Sequence, residues 1–398
     1  MFHLVVQEEQ LPNGMRVVVH PDARAGQVVA CLGFDVGADA DPVDQPGLAH
    51  LLEHLRFRSG GFESRLAAVG GTSNGWTDHD RMVVWAAAPP ESLPLLVEWA
   101  GWTAMTGEWA EGDVDAERSV VAAEQAGMTD RAHGRDRERL AELLWGDFPY
   151  GRSVHGVPRA DSGAMRTFAA QNFPPSHATL VVAGAVEAAA AFAEVHRVVW
   201  DAGWSRVVAS PASIGSSDGS IAPQPPRPQP LNLPPQRIWM ADDVGETSIL
   251  AAWRTVPQVD SARPALDILA ALVGAETNNA RWSGSFSIEA ERPAEIRRLR
   301  RRLRRTYADA QIAGVRADMS LRWARAIDGV VGRAQSLVTC ALATGNPDCL
   351  PTEWEKYAAV TSSDLAAAAA SISGEPDVLL AVVPGSVGHA PLPRMDRW

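Results

Sequence analysis

The segment His50-Leu51-Leu52-Glu53-His54 sets two imidazoles and a carboxylate within five residues. On a helix, His50 and His54 project from one face about one turn apart. Two imidazole nitrogens at that spacing can bind one Zn²⁺ at about 2.0–2.1 Å. Glu53 follows His50 by three residues and shares that face, so its carboxylate can stand beside the metal without ligating it. A general base needs that position to take a proton from a water whose pKa zinc has lowered towards about 7, and then to protonate a leaving amine. The chemistry implied is metal-assisted hydrolysis of an amide.

A catalytic zinc usually has three protein ligands, so one more must come from elsewhere. Residues 113–124 read as a helix on which Glu117 and Glu124 lie seven apart, two turns on the same face. Spacing does not choose between them. Taken alone, the pentapeptide is as readily a chance pair of surface or core histidines, and paired helix glutamates are more often solvated. The flanking sequence has to decide.

The elements that must position these residues can be read around them. Asp44 and Pro46 suit a helix start just before the motif. Ahead of it, alternating apolar runs flank the turn Leu11-Pro12-Asn13-Gly14, and a second strand spans 28–36. Residues 208–236, rich in Ser, Gly and then Pro, read as a linker between halves at 1–207 and 237–398. The second half repeats strand (237–240), strand (248–255) and helix (262–273). Each half ends in an apolar strand closed by glycine, at 179–184 and 378–385. The expected fold class is α+β: two duplicated domains, each a mainly antiparallel sheet with helices packed on one face, the second copy shortened and diverged.

The 398 residues suit two domains, and 46% hydrophobic against 21% charged residues is ordinary for a globular chain. A net charge of −12 argues against nonspecific binding to nucleic acid or anionic membrane. No apolar run approaches the roughly 20 residues of a membrane span, and the first residues lack a signal-peptide pattern. Cys31, Cys340 and Cys349 form no Cys-x-x-Cys pair, and an odd count gives no disulfide framework, so a reducing cytoplasm is expected.

Gly47-Leu48-Ala49-His50-Leu51-Leu52-Glu53-His54-Leu55-Arg56-Phe57 resembles the active-site helix of the pitrilysin/insulinase (M16) family of zinc metallopeptidases, which includes mitochondrial processing peptidase. Gly70-Gly71-Thr72-Ser73-Asn74-Gly75-Trp76-Thr77 resembles that family's edge strand beside the active site, and residues 117–124 its third-ligand helix. Pro149-Tyr150-Gly151-Arg152 and the strand at 180–184 fit the rest of a catalytic domain. The resemblance covers residues 5–200 and is weaker over 237–398. It implies one Zn²⁺ per chain, held by His50, His54 and Glu124, with Glu53 as catalytic base, Glu117 as a catalytic-site carboxylate supporting the ligands, and peptide as substrate.

Two departures stand out. The gap between His54 and Glu124 is somewhat short, with the loss placed in the loop at 58–63. Family members also carry an arginine and a tyrosine just after the first long helix of the second half, where they complete the site. Here residues 274–286 contain no tyrosine and look shortened, and Tyr150, Tyr307 and Tyr357 all lie elsewhere. Some bacterial members divide the zinc motif and the arginine–tyrosine pair between two chains. The expectation is therefore the metal-bearing half of a heterodimer. A homodimer in which Arg281 or another residue stands in is the lesser possibility, and a non-catalytic assembly subunit is the alternative function.

Phe57, one turn beyond His54, can wall the site or be plain core. Asn74 and Gly75, on an edge strand, can meet an extended peptide, although an asparagine after two glycines also suits a turn. Arginines dominate 297–305, but Ile296, Leu299, Leu303 and Tyr307 recur at helical spacing. An amphipathic helix with an arginine-rich solvent face explains them better than nucleic-acid binding, and a partner interface is a minority reading. His79, His133 and His155 are expected at the surface.

Overall fold

Apolar, β-branched runs become the strands of two sheets in this computed structural model, which describes residues 3–105, 107–129, 134–201, 233–242, 244 and 246–385. The first sheet comprises β1 (Gln7–Gln10), β2 (Arg16–Pro21), β3 (Val28–Phe34), β4 (Thr72–Thr77), β5 (Met82–Ala88) and β6 (Ala178–Gly184), in the order β1-β2-β6-β3-β5-β4. The second comprises β7 (Gln236–Asp242), β8 (Ser248–Thr255), β9 (Glu276–Asn279), β10 (Gly284–Ala290) and β11 (Val378–Pro384), in the order β7-β11-β8-β10-β9. Without β1, the two orders are the same. Each sheet has one parallel pair, β2 with β6 and β7 with β11, and is otherwise antiparallel. The chain adopts the expected duplicated α+β architecture, except that the first sheet carries helices on both of its faces rather than on one.

Strands β3 and β6 are buried along their whole length, which requires cover on both faces of the sheet. On one face, Val17, Val28, Ala30, Leu32 and Val182 pack with Leu48, Leu51, Leu52 and Leu55 of the motif helix, Leu48–Arg58. On the other, Val18, Val29, Cys31 and Val181 meet Val330, Ala334, Leu337 and Val338 of the helix Val330–Thr344. Gly33 permits that approach: a Cβ there would lie 2.6 Å from Val338 Cγ2 and 2.9 Å from Leu342 Cδ1.

That helix comes from the second half of the sequence. Conversely Leu140, Leu143, Leu144 and Trp145, on the helix Gly134–Trp145 of the first half, pack with Leu250, Ala252, Leu380 and Val382 of the second sheet. The two compact units are accordingly discontinuous. One is Met1–Gln125, Val154–Pro226 and Arg322–Pro351, and the other Ala126–Ser153, Arg227–Leu321 and Thr352–Trp398. Most of the proline-rich linker, residues 208–232, lies outside the described residues, as does His133.

One expectation is corrected. Cys340 and Cys349 form a disulfide, with Cα atoms 5.4 Å apart, across the turn that follows the helix Val330–Thr344. Nine residues of sequence hid a pairing that the helix end makes by folding back. The cysteine argument for a reducing compartment falls with it, and Cys31 is the free, buried thiol. No described helix is long and apolar enough to cross a membrane.

Candidate metal centre

The motif helix is started by a residue the sequence did not single out. Asp41 accepts the backbone N–H groups of Gly47 at 2.6 Å and Ala49 at 2.9 Å, satisfying donors that the first turn leaves open. Gly47 has φ 93°, and a Cβ there would lie 2.0 Å from the carbonyl oxygen of Gly156. Two glycines thus let the loop at 152–157 pack directly on the helix start. The loop carries His155, whose ring stands edge-on to that of His50 with centroids 4.7 Å apart. His155 is half-buried against the motif rather than at the surface as expected.

The helix Glu111–Thr129 faces the motif helix and brings both candidate carboxylates to it. Glu124 Oε2 lies 3.6 Å from His50 Nε2 and 3.4 Å from His54 Nε2. Glu117, buried, instead reaches the far side of His54: its Oε2 is 3.3 Å from Nδ1, and its Oε1 accepts from Arg58 Nη1 at 2.8 Å. Sequence spacing left these two glutamates equivalent, and the geometry separates them.

With Nδ1 of His54 donating to Glu117, its Nε2 presents a lone pair. His50 is driven the same way, for burial first, and then the imidazoles of His155 and His54, hold its pKa down to about 3. Nε2 of His50, Nε2 of His54 and a Glu124 carboxylate oxygen converge, all within 4.8 Å of one another. The imidazole–carboxylate separations are long for hydrogen bonds. Three acceptor atoms at such spacing suit a shared cation, and a His₂Glu set is one that catalytic zinc uses. The residues fit the metal.

Glu53 lies on the same helix but turns to the sheet. Thr77, on β4, donates its hydroxyl to Glu53 Oε2 at 2.6 Å. Burial pushes the Glu53 carboxyl up to about 7; the Thr77 hydrogen bond and His54 pull it down, while Glu124 pushes it further up. A carboxyl poised there can both accept and return a proton at neutral pH.

Among the described residues, strand β4 is an edge strand, pairing with β5 alone. A Cβ on Gly75 would meet Glu53 Oε1 at 3.0 Å, Phe57 Cε2 at 2.9 Å and Val84 Cγ1 at 2.8 Å, so only glycine lets the strand run so close over the carboxylate. Phe57 sits beneath it against Trp99, with centroids 6.5 Å apart, as part of the core margin. Asn74, exposed, points to the other face of the strand, and its side chain accepts from the Gly75 N–H at 2.7 Å. The structure thus brings together His50, His54, Glu53, Glu117, Glu124, Gly75 and Phe57, and leaves Asn74 facing away. Thr77, Arg58 and His155 join without having been assigned a place in the site. Strand alternation, which puts Gly75 and Thr77 on one face, was the available signal for Thr77. Nothing in the sequence pointed to His155.

The second sheet repeats the arrangement without metal chemistry. Its helix Arg263–Val273 carries Asp267, which accepts from Thr277 Oγ1 at 2.8 Å and Asn279 Nδ2 at 3.0 Å on the edge strand β9. Pro264 and Ile268 stand at the offsets that His50 and His54 hold from Glu53. Only two residues separate this helix from β9, whereas the motif helix is followed by a further short helix, Phe62–Ala68, before β4. The tyrosine hydroxyls are all occupied. Tyr357 donates to Asp267 at 2.5 Å, Tyr150 accepts from Trp282 N at 3.0 Å, and Tyr307 donates to Arg302 O at 2.9 Å.

Residues 16–156 match the family model for insulinase (peptidase family M16). An uncharacterized zinc protease of Mycobacterium leprae is 31% identical over 189 residues, which are 44% of this chain and 42% of that protein. The mitochondrial-processing peptidase subunit beta of Saccharomyces cerevisiae is 24% identical over 188 residues, 45% of this chain and 41% of that one. These matches span less than half the length of either relative. Among solved structures, a protease from Helicobacter pylori superposes with a TM-score of 0.81 at 17% identity, covering 96% of this chain and 100% of its own. An M16 inactive domain from Pseudomonas fluorescens gives 0.77 at 13% identity, covering 96% and 98%. Both show a shared fold.

Proposed function

We propose, on the premise that residues 16–156 of this chain belong to the insulinase (M16) family of peptidases, that the protein is the zinc-bearing subunit of a two-chain endopeptidase acting on short or unfolded peptides. The observation that carries the reading is the convergence of His50, His54 and Glu124 beside a Glu53 carboxyl poised near neutrality. A zinc ion held by those three residues would supply Lewis acidity, polarising a peptide carbonyl and acidifying a water.

The chain's own groups do the rest. Glu117 and Arg58 hold the His54 ring in one orientation. Glu53 takes a proton from the attacking water and returns it to the leaving amine. The exposed edge of β4, passing over Glu53 at Gly75, can pair with an extended peptide and set its scissile bond beside the carboxylate. Asn74 remains a candidate contact, through its backbone on that edge.

A partner is inferred from what the second unit lacks. Its helix bears Asp267 in place of a metal site, the following segment is short, and all three tyrosine hydroxyls are engaged. The yeast relative is itself named as a subunit. An arginine–tyrosine pair for substrate and oxyanion would then come from a homologous second chain.

Metal analysis of the purified chain tests the first part: one zinc per chain, lost in Glu124→Ala, is expected. Peptidase assays of the zinc-loaded chain alone test the second, where little turnover is expected, and robust turnover would overturn the two-chain reading while leaving the metal site standing.

A further inference from the structure

The arginine run is the strongest feature that the peptidase reading does not use. Residues 292–305 hold eight arginines and one glutamate, leaving 28 basic against 47 acidic residues in the rest of the chain. The segment forms the helix Pro293–Leu303, which buries Ile296 and Leu303 and is followed by buried Tyr307. The amphipathic expectation holds, but the polar face is more than a solvated one. Arg298, Arg301, Arg302, Arg304 and Arg305 line a bowl of about 620 Å³ with no carboxylate in its wall.

The bowl is held in place by groups other than a ligand. Arg302 donates to the Leu272 carbonyl at 2.7 Å, and Tyr307 donates to the Arg302 carbonyl at 2.9 Å, so the turn at the helix end is tied to the neighbouring helix. Arg300, which turns away, is taken up by Glu375 at 3.0 Å. The lining residues Arg298, Arg301, Arg304 and Arg305 have no ion pair among the described residues, and all four are exposed. Four exposed guanidiniums gathered around one part-buried one repel each other, and the helix C-terminal dipole offsets that only in part. A compact ligand of high negative charge would relieve the repulsion.

We propose that this bowl is a binding site for an oligophosphate group, a di- or triphosphate chain free or carried on a small molecule. Guanidinium forks match phosphate oxygens bidentately. The volume lies within the usual range of small-ligand sites, about 300–1,000 Å³. An extended polyanion fits less well. The rest of the chain is acidic in total, and the bowl wall holds no aromatic side chain on which bases could stack. An acidic peptide would need backbone partners, and the wall is made of arginine side chains.

Calorimetric titration of the full chain with sodium tripolyphosphate, and separately with ATP without magnesium, at about 150 mM salt is the test. Saturable 1:1 binding of tripolyphosphate is expected, weakened at least about tenfold in Arg301→Glu/Arg305→Glu. Arg297→Glu, on the same helix but outside the bowl, should change affinity several-fold less. Equal affinity for both probes would assign the site to the phosphate chain alone, and tighter ATP binding to a nucleotide. No saturable binding of either probe would overturn the proposal. So would an equal loss in Arg297→Glu, or a clear preference for a single-stranded oligonucleotide over tripolyphosphate. A circular-dichroism melt of each variant, expected to match the parent because the substituted residues are exposed, guards against loss of fold. Arg301→Gln/Arg305→Gln repeats the test should the charge reversals unfold.

Discussion

Thr77 Oγ1 donates to Glu53 Oε2 at 2.6 Å, joining the edge strand of the first sheet to the carboxylate that stands beside the His50, His54 and Glu124 cluster. The bond favours the ionised carboxylate, yet burial outweighs it and leaves Glu53 at about 7. The folded protein therefore holds this proton more tightly than the unfolded chain, whose glutamate has an ordinary value of 4.5. Below that ordinary value both states are protonated and nothing is lost. As pH rises from there through about 7, the unfolded state ionises first and stability falls, by on the order of 1–3 kcal/mol at completion. In chelator-treated protein, Glu53→Gln should melt close to the parent at pH 4 and clearly above it at pH 8. A melting difference that stays constant over that range would contradict the assignment.

Gly75 makes the same juncture sensitive to a single methyl. A Cβ there would press on Val84 at 2.8 Å, the Phe57 ring at 2.9 Å and Glu53 at 3.0 Å, and two of these are packed against core. The strand would have to lift, straining its pairing with β5, where Gly75 stands opposite Val84. Gly75→Ala is expected to cost about 1–3 kcal/mol. Glycine at position 70, where nothing lies near an added Cβ but φ is 73°, is the comparison. Its replacement by alanine should cost only the backbone term, roughly 1 kcal/mol. Urea denaturation of both variants checks the order, and equal losses would remove the packing explanation.

How much of this was legible in the sequence depended on whether the information was local. The motif face was, because four-residue spacing fixes His50 and His54 on one side of a helix. The duplication was also visible, because apolar strands recur in the same order, and the sheets confirm it down to the position of the parallel pair. What stayed hidden was long-range choice. An apolar helix face states that it must be buried, but not against which sheet. Nothing in residues 330–344 says that they cover β3 and β6, or in 134–145 that they cover β8 and β11. His155 was missed for a related reason: it reaches His50 only because Gly47 and Gly156 allow two backbones to touch. Glu117 and Glu124 share a helix face, and only the facing helix distinguishes them.

That distinction yields a graded metal prediction. Glu124 Oε2 stands near both Nε2 atoms, so on the proposed reading Glu124→Ala should abolish stoichiometric zinc. Of the two histidines, Glu117 meets only His54, at the outer nitrogen Nδ1, and its other oxygen is held by Arg58. Glu117→Gln keeps an acceptor but removes the charge, and zinc should still bind, with affinity reduced about 10–100-fold. Competition with a chromophoric chelator measures both. Equal affinity loss in the two variants would mean that the glutamates are not divided as the geometry divides them.

The disulfide gives the last prediction, one independent of the metal. Cys340, near the end of the helix Val330–Thr344 that packs on one face of the first sheet, and Cys349, beyond that end, close a loop nine residues apart. Loop closure of that length is worth about 2–3 kcal/mol in the chain-entropy account. The helix should therefore lose part of its anchorage when the bond is absent, even though Leu337 and Val338 stay buried against β3. Cys349→Ser is expected to lower the melting temperature by several degrees, and reductant should produce the same shift in the parent but none in the variant. Thiol titration of the unreduced parent in denaturant should count one reactive cysteine, Cys31. Three titratable thiols in protein purified without reductant would show that the bond does not form under those conditions, and would return the cysteines to the reducing environment that their spacing first implied.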